Sequence, residues 1–306
     1  MEQKQWIEKI KTMKQEKDIL VLAHYYVDGS VQEVADFVGD SYYLSQMALL
    51  QKQQVILFCG VRFMGESAKI LNPDKKIIIV DQEADCPMAH MVNKEEIKKI
   101  KEQCKDVAIV CYINSTAETK AFSDVCVTSS NAVSIVKQLP EKNIFFIPDG
   151  NLGQYVQSQL PEKNIIIHEG YCYVHHNITK EQVKKVKKKV PDAKILAHPE
   201  CTKEVLEMAD YIGSTSGILH YATESVSKRF IICTEKGILH ELHKKNPDKI
   251  FYFIEPQPSC LDMKKITLPK VYQAIKTLEP EIKINDDVQE EAKKPLERMH
   301  TLAGSC

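Results

Sequence analysis

Cys172 and His175 stand three residues apart in the stretch IHEGYCYVHH, residues 167–176. A thiol and an imidazole at that spacing suit half of a zinc site, or a nucleophile with its base. Which of these applies depends on partners elsewhere in the chain. Two come at fixed intervals, since Cys86 and Cys260 lie 86 residues before and 88 residues after Cys172. The remaining cysteines, at 59, 104, 111, 126, 201, 233 and 306, share no such register. None of the ten is paired as C-x-x-C, so the strongest zinc and thioredoxin signatures are absent.

The cysteine register belongs to a longer internal repeat. His24, Tyr112 and His198 precede the three cysteines by 62, 60 and 62 residues. Twelve residues beyond them lie Asp36, Asp124 and Asp210, and five further on lie Ser41, Ser129 and Thr215. The copies align without a gap over this span, which makes the chain a triplication with a period of 86–88 residues.

Nine apolar runs read as the strands that position these residues: DILVLA (18–23), VILFC (55–59), KIIIV (76–80), VAIVC (107–111), IFFI (144–147), NIIIH (164–168), KILA (194–197), FIIC (230–233) and IFYFI (250–254). They fall three to a copy and alternate with helical patterns, as in parallel α/β architecture. A Lys-rich amphipathic helix precedes each set, its lysines forming a solvated face. The second and third of these helices open on capping boxes, Asn93 with Glu96 and Thr179 with Gln182. The expected fold class is α/β, with three pseudo-threefold-related three-layer αβα domains, each holding a small parallel sheet. Their boundaries fall at 1–91, 92–177 and 178–264, followed by a helical tail at 265–306. The tail either packs on the first domain or closes over the pocket. Lys294 or Arg298 would reach the site in the second case, and a surface helix is the simpler reading.

In parallel sheets, ligands bind beyond the carboxyl ends of the strands. With those ends turned inward, the loop after each first strand delivers His24 and Tyr26, Tyr112 and Asn114, or His198 and Glu200. The loop after each third strand delivers one cysteine. A structural zinc site takes four protein ligands, and an electron-carrying iron–sulfur cube takes four cysteines. Three cysteines suit a central [4Fe–4S] cluster with one iron open as a Lewis acid. His175 then reads as a pocket residue beside the cluster and His168 as a structural one. Ser41, Ser129 and Thr215 stand just before helical patterns and read as N-caps, whose helix ends also hold carboxylate or phosphate. The residues after the first strands differ between copies, as recognition of an asymmetric small molecule from three sides requires. Tyr26, His24, His198 and Glu200 are the acid/base candidates among them.

Composition narrows the remaining classes. The 306 residues are 43% hydrophobic and 27% charged, which suits a globular protein with a sizeable core. A net charge of −1 leaves no nucleic-acid footprint, and Arg62, Arg229 and Arg298 are the only arginines available for phosphate. No apolar run approaches membrane-spanning length, and the charged N-terminus does not read as a signal peptide. The expected location is cytoplasmic, with the thiols reduced or bound to metal.

Nine motifs together carry a family resemblance: AHYYVD (23–28), VGDSYYLS (38–45), FCGVRFMGESAKIL (58–71), DCPMA (85–89), VCYINSTAETKA (110–121), CVTSSNA (126–132), PDGNLG (148–153), HPEC (198–201) and GSTSGI (213–218). Over essentially its full length the chain resembles the quinolinate synthase (quinolinate synthetase A) family of NAD biosynthesis. The resemblance implies three pseudo-symmetric α/β domains around a [4Fe–4S] cluster held by Cys86, Cys172 and Cys260. It implies condensation of iminoaspartate with dihydroxyacetone phosphate to quinolinate, with loss of phosphate and water. His24, Ser41, Ser129 and Thr215 resemble the family's carboxylate or phosphate holders, and Tyr112 and Asn114 its substrate-orienting pair. Tyr26 and Glu200 resemble its acid/base residues, assisted by His198 and His175. The family's chemistry also implies a functional link to an L-aspartate oxidase or dehydrogenase that supplies iminoaspartate, and no nucleic-acid or membrane partner. Some members carry extra cysteines beside the third ligand, whereas PQPSCLDM here has only Cys260, and Cys306 fits no family motif.

Two rival readings differ in kind. An aconitase-like iron–sulfur hydro-lyase shares the three-cysteine logic without the triplication. A non-enzymatic iron–sulfur sensor needs an output surface such as a DNA-reading basic helix, and none stands out.

Overall fold

The computed structural model describes residues 2–304, so Cys306 lies outside the described residues. Its Val- and Ile-rich runs form twelve strands: β1 (Ile19–His24), β2 (Phe37–Gly39), β3 (Val55–Cys59), β4 (Lys76–Ile79), β5 (Val107–Tyr112), β6 (Val125–Val127), β7 (Asn143–Ile147), β8 (Asn164–Ile167), β9 (Lys194–Ala197), β10 (Tyr211–Ile212), β11 (Arg229–Cys233) and β12 (Ile250–Phe253). They make three sheets with one topology, in the orders β2-β1-β3-β4, β6-β5-β7-β8 and β10-β9-β11-β12. Every pairing is parallel. Helices cover both faces of such sheets, which is why strands like β1 are apolar and buried throughout rather than alternating.

Each sheet thus has four strands, one more than the sequence pattern predicts. The additional members β2, β6 and β10 are edge strands of three, three and two residues. Runs that short carry no readable period. The aspartates of the repeat hold them in place. The Asp36 carboxylate accepts the Val21 N–H at 2.8 Å, while the Asp36 N–H donates to the Val21 carbonyl at 2.8 Å. Asp124 repeats this pair with Ile109 at 2.7 and 2.9 Å, and Asp210 with Ile195 at 2.8 and 2.8 Å.

A second threefold set is made of lysines. Lys75 donates to the carbonyls of Ala48 and Gln51, at the C-terminus of helix Ser41–Leu50. Lys163 does the same for Leu139 and Glu141 after helix Ala132–Gln138. Lys249 serves Ala222, Thr223 and Ser225 after helix Thr215–Glu224 at 2.6, 3.0 and 2.9 Å. An ammonium there satisfies the last carbonyls and opposes the negative end of the helix dipole. The Lys-rich helices Lys94–Gln103 and Lys180–Lys189 keep their lysines largely outward, and both expected capping boxes are formed.

The first two sheets and the C-terminal helices share one continuous apolar core. The third sheet has a separate apolar cluster on each face, one of them including Tyr25 from the first repeat. Polar ties join the units further. The Ala117 N–H donates to Glu66 at 3.0 Å, Asn151 to the Glu200 carbonyl at 3.0 Å, and Lys264 to the Tyr26 carbonyl at 2.6 Å.

The tail forms two main helices. Leu268–Thr277 lies against Gln3–Glu16, with Tyr272 edge-on to Trp6 at 5.2 Å. Asp286–Leu302 packs against Ala117–Ala121, Arg62–Leu71 and β6. It does not close over the central pocket. Lys294 is exposed and pairs with Glu291, while Arg298 donates to the Asp124 carbonyl at 3.1 Å, and both line an outer groove. The heptad-like apolar face of the helix is used up on the first two units, which leaves its cations outward.

Because Lys249 is buried on three carbonyls, Lys249→Met should lower the unfolding free energy by about 2–3 kcal/mol. The exposed Lys245→Met should change it by less than about 0.5 kcal/mol. Denaturant midpoints of the two variants check this difference.

Candidate active site

The three register cysteines occupy equivalent places, each the residue before a single helical turn: Pro87–His90, Tyr173–His176 and Leu261–Lys264. Their backbones have nearly the same conformation, with φ, ψ of −90°, 115° at Cys86, −81°, 114° at Cys172 and −86°, 108° at Cys260. An acid fixes each peptide from behind. The Cys172 N–H donates to Asp149 at 3.1 Å, Cys260 to Glu235 at 3.1 Å, and Cys86 to its neighbour Asp85 at 2.8 Å. Asp149 and Glu235 are register equivalents, and both are wholly buried. The first copy has Val61 at that position, so Asp85 takes over.

All three sulfurs line one cavity together with His24, Tyr26, Ser41, Tyr112, Asn114, Ser129, His175, His198, Glu200 and Thr215. The rest of its wall is apolar at Val61, Phe63, Met64, Val174 and Met263 and polar at Asp40, Tyr42 and Thr128. Burial pushes the thiol of Cys86 up, and the charge of Cys260 adds to this. Burial likewise raises Cys172, with the charges of Glu200 and Cys86 adding, and burial raises Cys260. The sulfurs therefore sense one another's charge in a partly enclosed space, and ionising all three requires a cation among them. Backbone N–H groups of Met88, Ala89, His175 and Met263 offset part of this cost at the sulfurs. Soft donors converging from three repeats fit a thiophilic metal group. Among the described residues, donor atoms of Cys172, His175 and Glu200 also lie within 4.8 Å of one another.

His24 and His198 are equivalent and buried in the same way. Nδ1 of His24 accepts the Tyr26 N–H at 3.2 Å, and Nδ1 of His198 accepts the Glu200 N–H at 3.3 Å. Burial drives both rings down to about 3. Each is thus a neutral imidazole with its proton on Nε2, available to a ligand. Burial also acts to raise Glu200, but its electrostatic and hydrogen-bond contacts with His175, joined by His198 and the Tyr112 hydroxyl, override it and hold the carboxyl below its usual range. Its Oε2 lies 2.6 Å from Nδ1 of His175 and 3.4 Å from Nδ1 of His198. His175 Nδ1 is in addition 3.3 Å from the Cys172 sulfur. Burial and the charge of Glu200 push the phenols of Tyr26 and Tyr112 well up, so both keep their protons.

Tyr26 ends a hydrogen-bonded chain that reaches Glu200. Its hydroxyl is 2.7 Å from Thr215 and 2.9 Å from Thr234, and Thr234 is 2.9 Å from Nε2 of His175. Thr234 escapes the sequence reading because its register counterparts are Gly60 and Pro148. The signal was there as a difference between copies, at the end of the second long strand rather than the first. Asp149 and Glu235 escape the sequence reading for a related reason, since their first-copy counterpart Val61 breaks the threefold pattern.

The hydroxyls of Ser41, Ser129 and Thr215 are not the N-caps expected of them. Asp40 caps helix Ser41–Leu50 by accepting the Tyr43 N–H, and Ser214 caps Thr215–Glu224 by accepting from Gly217. Ser129 stands three residues before helix Ala132–Gln138, whose capping position is Asn131. A side chain one position earlier performs the capping in the first and third copies, which frees the cavity-lining hydroxyls. Two buried polar atoms, Asn114 Oδ1 and Glu200 Oε1, have no hydrogen-bond partner, a cost of about 1–3 kcal/mol each that a polar ligand would remove. Tyr173, unassigned from sequence, reaches from the second repeat to the third, where its hydroxyl accepts the Leu261 N–H at 2.8 Å and lies 3.8 Å from the Cys260 sulfur.

Residues 8–301 match the family described as quinolinate synthetase A protein. The chain is 52% identical over 297 residues to a quinolinate synthase from Fusobacterium nucleatum, covering 97% of this chain and 99% of that one. It is 50% identical over 294 residues to a quinolinate synthase from Clostridioides difficile, covering 96% and 97%. A quinolinate synthase from Caldicellulosiruptor saccharolyticus is 50% identical over 301 residues, covering 97% and 99%.

The two depressed imidazoles set an acid limit on the fold. Between their ordinary value of 6.5 and about 3, the unfolded chain binds protons that the folded chain refuses. Stability should therefore fall as pH drops through that window, by up to about 1.4 kcal/mol per pH unit for each histidine. His24→Gln should make the fall shallower by up to one histidine's share, as measured by denaturant unfolding at a series of pH values.

Proposed function

The chain belongs to the quinolinate synthetase A family, and on that premise we propose that it acts as a quinolinate synthase. It condenses iminoaspartate with dihydroxyacetone phosphate to quinolinate, with loss of phosphate and water, in de novo NAD biosynthesis. The observation that carries this reading is the meeting of Cys86, Cys172 and Cys260 with two neutral imidazoles, an ionised Glu200 and a protonated Tyr26 around one cavity. Cys86, Cys172 and Cys260 would hold a [4Fe–4S] cluster, and when bound it supplies an open iron as Lewis acid for oxygen atoms of the substrates.

The chain's own residues account for binding and proton movement. His24 and His198 offer Nε2–H donors to carboxylate or phosphate oxygens without carrying charge. Ser41, Ser129 and Thr215 add hydroxyls, and Asn114 and Tyr112 orient the substrate between them. Glu200, ionised and bonded to His175, suits the removal of protons from carbon. Tyr26 keeps its proton and suits delivery of one to a departing oxygen, with Thr234 and His175 linking it to Glu200 for return of the proton. The apolar wall limits water, which protects an imine from hydrolysis. An aconitase-like hydro-lyase has no use for three repeats reading three sides of one ligand.

The same reading treats the repeats 1–91, 92–177 and 178–264 as the domains that supply one cysteine each. No described helix is long and apolar enough to cross a membrane. Reduced thiols and the reaction class support a cytoplasmic location, with an L-aspartate oxidase or dehydrogenase as the source of iminoaspartate.

Anaerobic reconstitution with iron and sulfide, followed by supply of both substrates, should yield quinolinate by chromatography. An intact cluster without quinolinate would overturn the proposal. Cys172→Ser should lose the visible cluster absorption along with activity. Tyr26→Phe and Glu200→Gln should keep the cluster while kcat falls by about 10²–10⁴-fold.

A further inference from the structure

We propose that Cys172, His175 and Glu200 form a second metal site, which takes one zinc-class divalent cation when no cluster is present. One sulfur, one imidazole nitrogen and one carboxylate oxygen lie within 4.8 Å of one another. His175 Nδ1 is central, 3.3 Å from the Cys172 sulfur and 2.6 Å from Glu200 Oε2. A proton on Nδ1 holds this arrangement in the metal-free chain, and a cation would replace it.

The support around the trio suits that exchange. Nε2 of His175 lies 2.9 Å from the Thr234 hydroxyl, which can accept the ring's remaining proton. With a cation on Nδ1, that bond would hold the ring's one proton on Nε2 and fix the ring's orientation. His175 and Glu200 are 1% and 2% exposed, and Glu200 Oε1 has no partner of its own. Sulfur, nitrogen and oxygen donors with one position left open match zinc or cobalt rather than magnesium or calcium, which demand six or more oxygens. Binding releases the Cys172 thiol proton and clears Nδ1 of its proton, so the imidazole binds as the neutral ring with its proton on Nε2.

The site is independent of the cluster in its donors except for Cys172, and that sharing has a consequence resting on the proposed function. An ion on Cys172 removes one of the three sulfurs a cluster would need, so cation and cluster exclude each other. Zinc-class cations would act on this chain by blocking cluster assembly.

Cobalt(II) titration of the full-length, cluster-free chain tests the site directly through its thiolate charge-transfer and tetrahedral absorption bands. One equivalent should bind, and Cys86→Ser and Cys260→Ser should retain it within about twofold. His175→Ala should abolish tight binding, and Thr234→Val, which leaves all three donors in place, should weaken it by about 10–100-fold. Absence of a one-equivalent endpoint in the unmodified chain, or equal loss in Cys86→Ser and His175→Ala, would overturn the assignment. For exclusion, one equivalent of zinc added before iron and sulfide should suppress cluster absorption in the unmodified chain and not in His175→Ala. Full assembly with zinc still bound would refute exclusion while leaving the cation site standing. Failure of assembly without zinc would count against the cluster alone.

Discussion

Three sulfurs brought into one cavity repel one another as soon as they ionise, and much of this molecule is arranged around that difficulty. Coulomb repulsion at short range in a poorly polarisable space is large, and the cavity wall carries no arginine to offset it. The chain answers with geometry: each cysteine precedes a helical turn whose amide hydrogens face its sulfur, and an acid behind each peptide holds that turn in place. The acids accept the cysteine amides and so fix position, while the charges of Asp149 and Glu235 add to the cost of ionising Cys172 and Cys260. What they leave is a set of donors whose charges only a cation can balance.

The repeat explains how one chain meets this requirement three times. A parallel sheet of order 2-1-3-4 presents the carboxyl ends of its strands along one edge, and three copies facing an axis bring equivalent loops together. Exact symmetry would defeat recognition of an asymmetric molecule, and the copies depart from it where they face the cavity. His24, Tyr112 and His198 share a place in the fold, yet two are neutral imidazole donors and one is a phenol. Behind the cavity the copies agree more closely, in Asp36, Asp124 and Asp210 at the edge strands and in Lys75, Lys163 and Lys249 at the helix ends.

Much of this was legible in the chain itself because spacing survives where pattern fades. The cysteine register and the offsets to aspartate and hydroxyl located the elements that converge, and the long apolar runs marked the strands that carry them. Strands β2, β6 and β10 were illegible because two or three residues cannot show a period, although the aspartate and hydroxyl of each copy bracket them. The hydroxyls of Ser41 and Thr215 were misread as caps because capping is decided by a single position, and Asp40 and Ser214 stand at it. Thr234 was invisible for a deeper reason: its importance lies in touching Tyr26 and His175 from another repeat, and no local pattern encodes contacts across 208 and 59 residues. The tail's helical character was evident, whereas the surface it covers depended on the shared core of the first two units.

The separation of the cysteines along the chain carries a further consequence. A group bonded to all three sulfurs closes two loops, of 86 and 88 residues. Closing loops of that size removes unfolded-state entropy worth on the order of 4–5 kcal/mol each in the chain-entropy account of cross-links. Such a group would act as a three-way staple, joining the chain at residues 86, 172 and 260 and so linking the three repeats at one point. The second and third repeats lie largely within the closed loops, so its presence would raise their stability together.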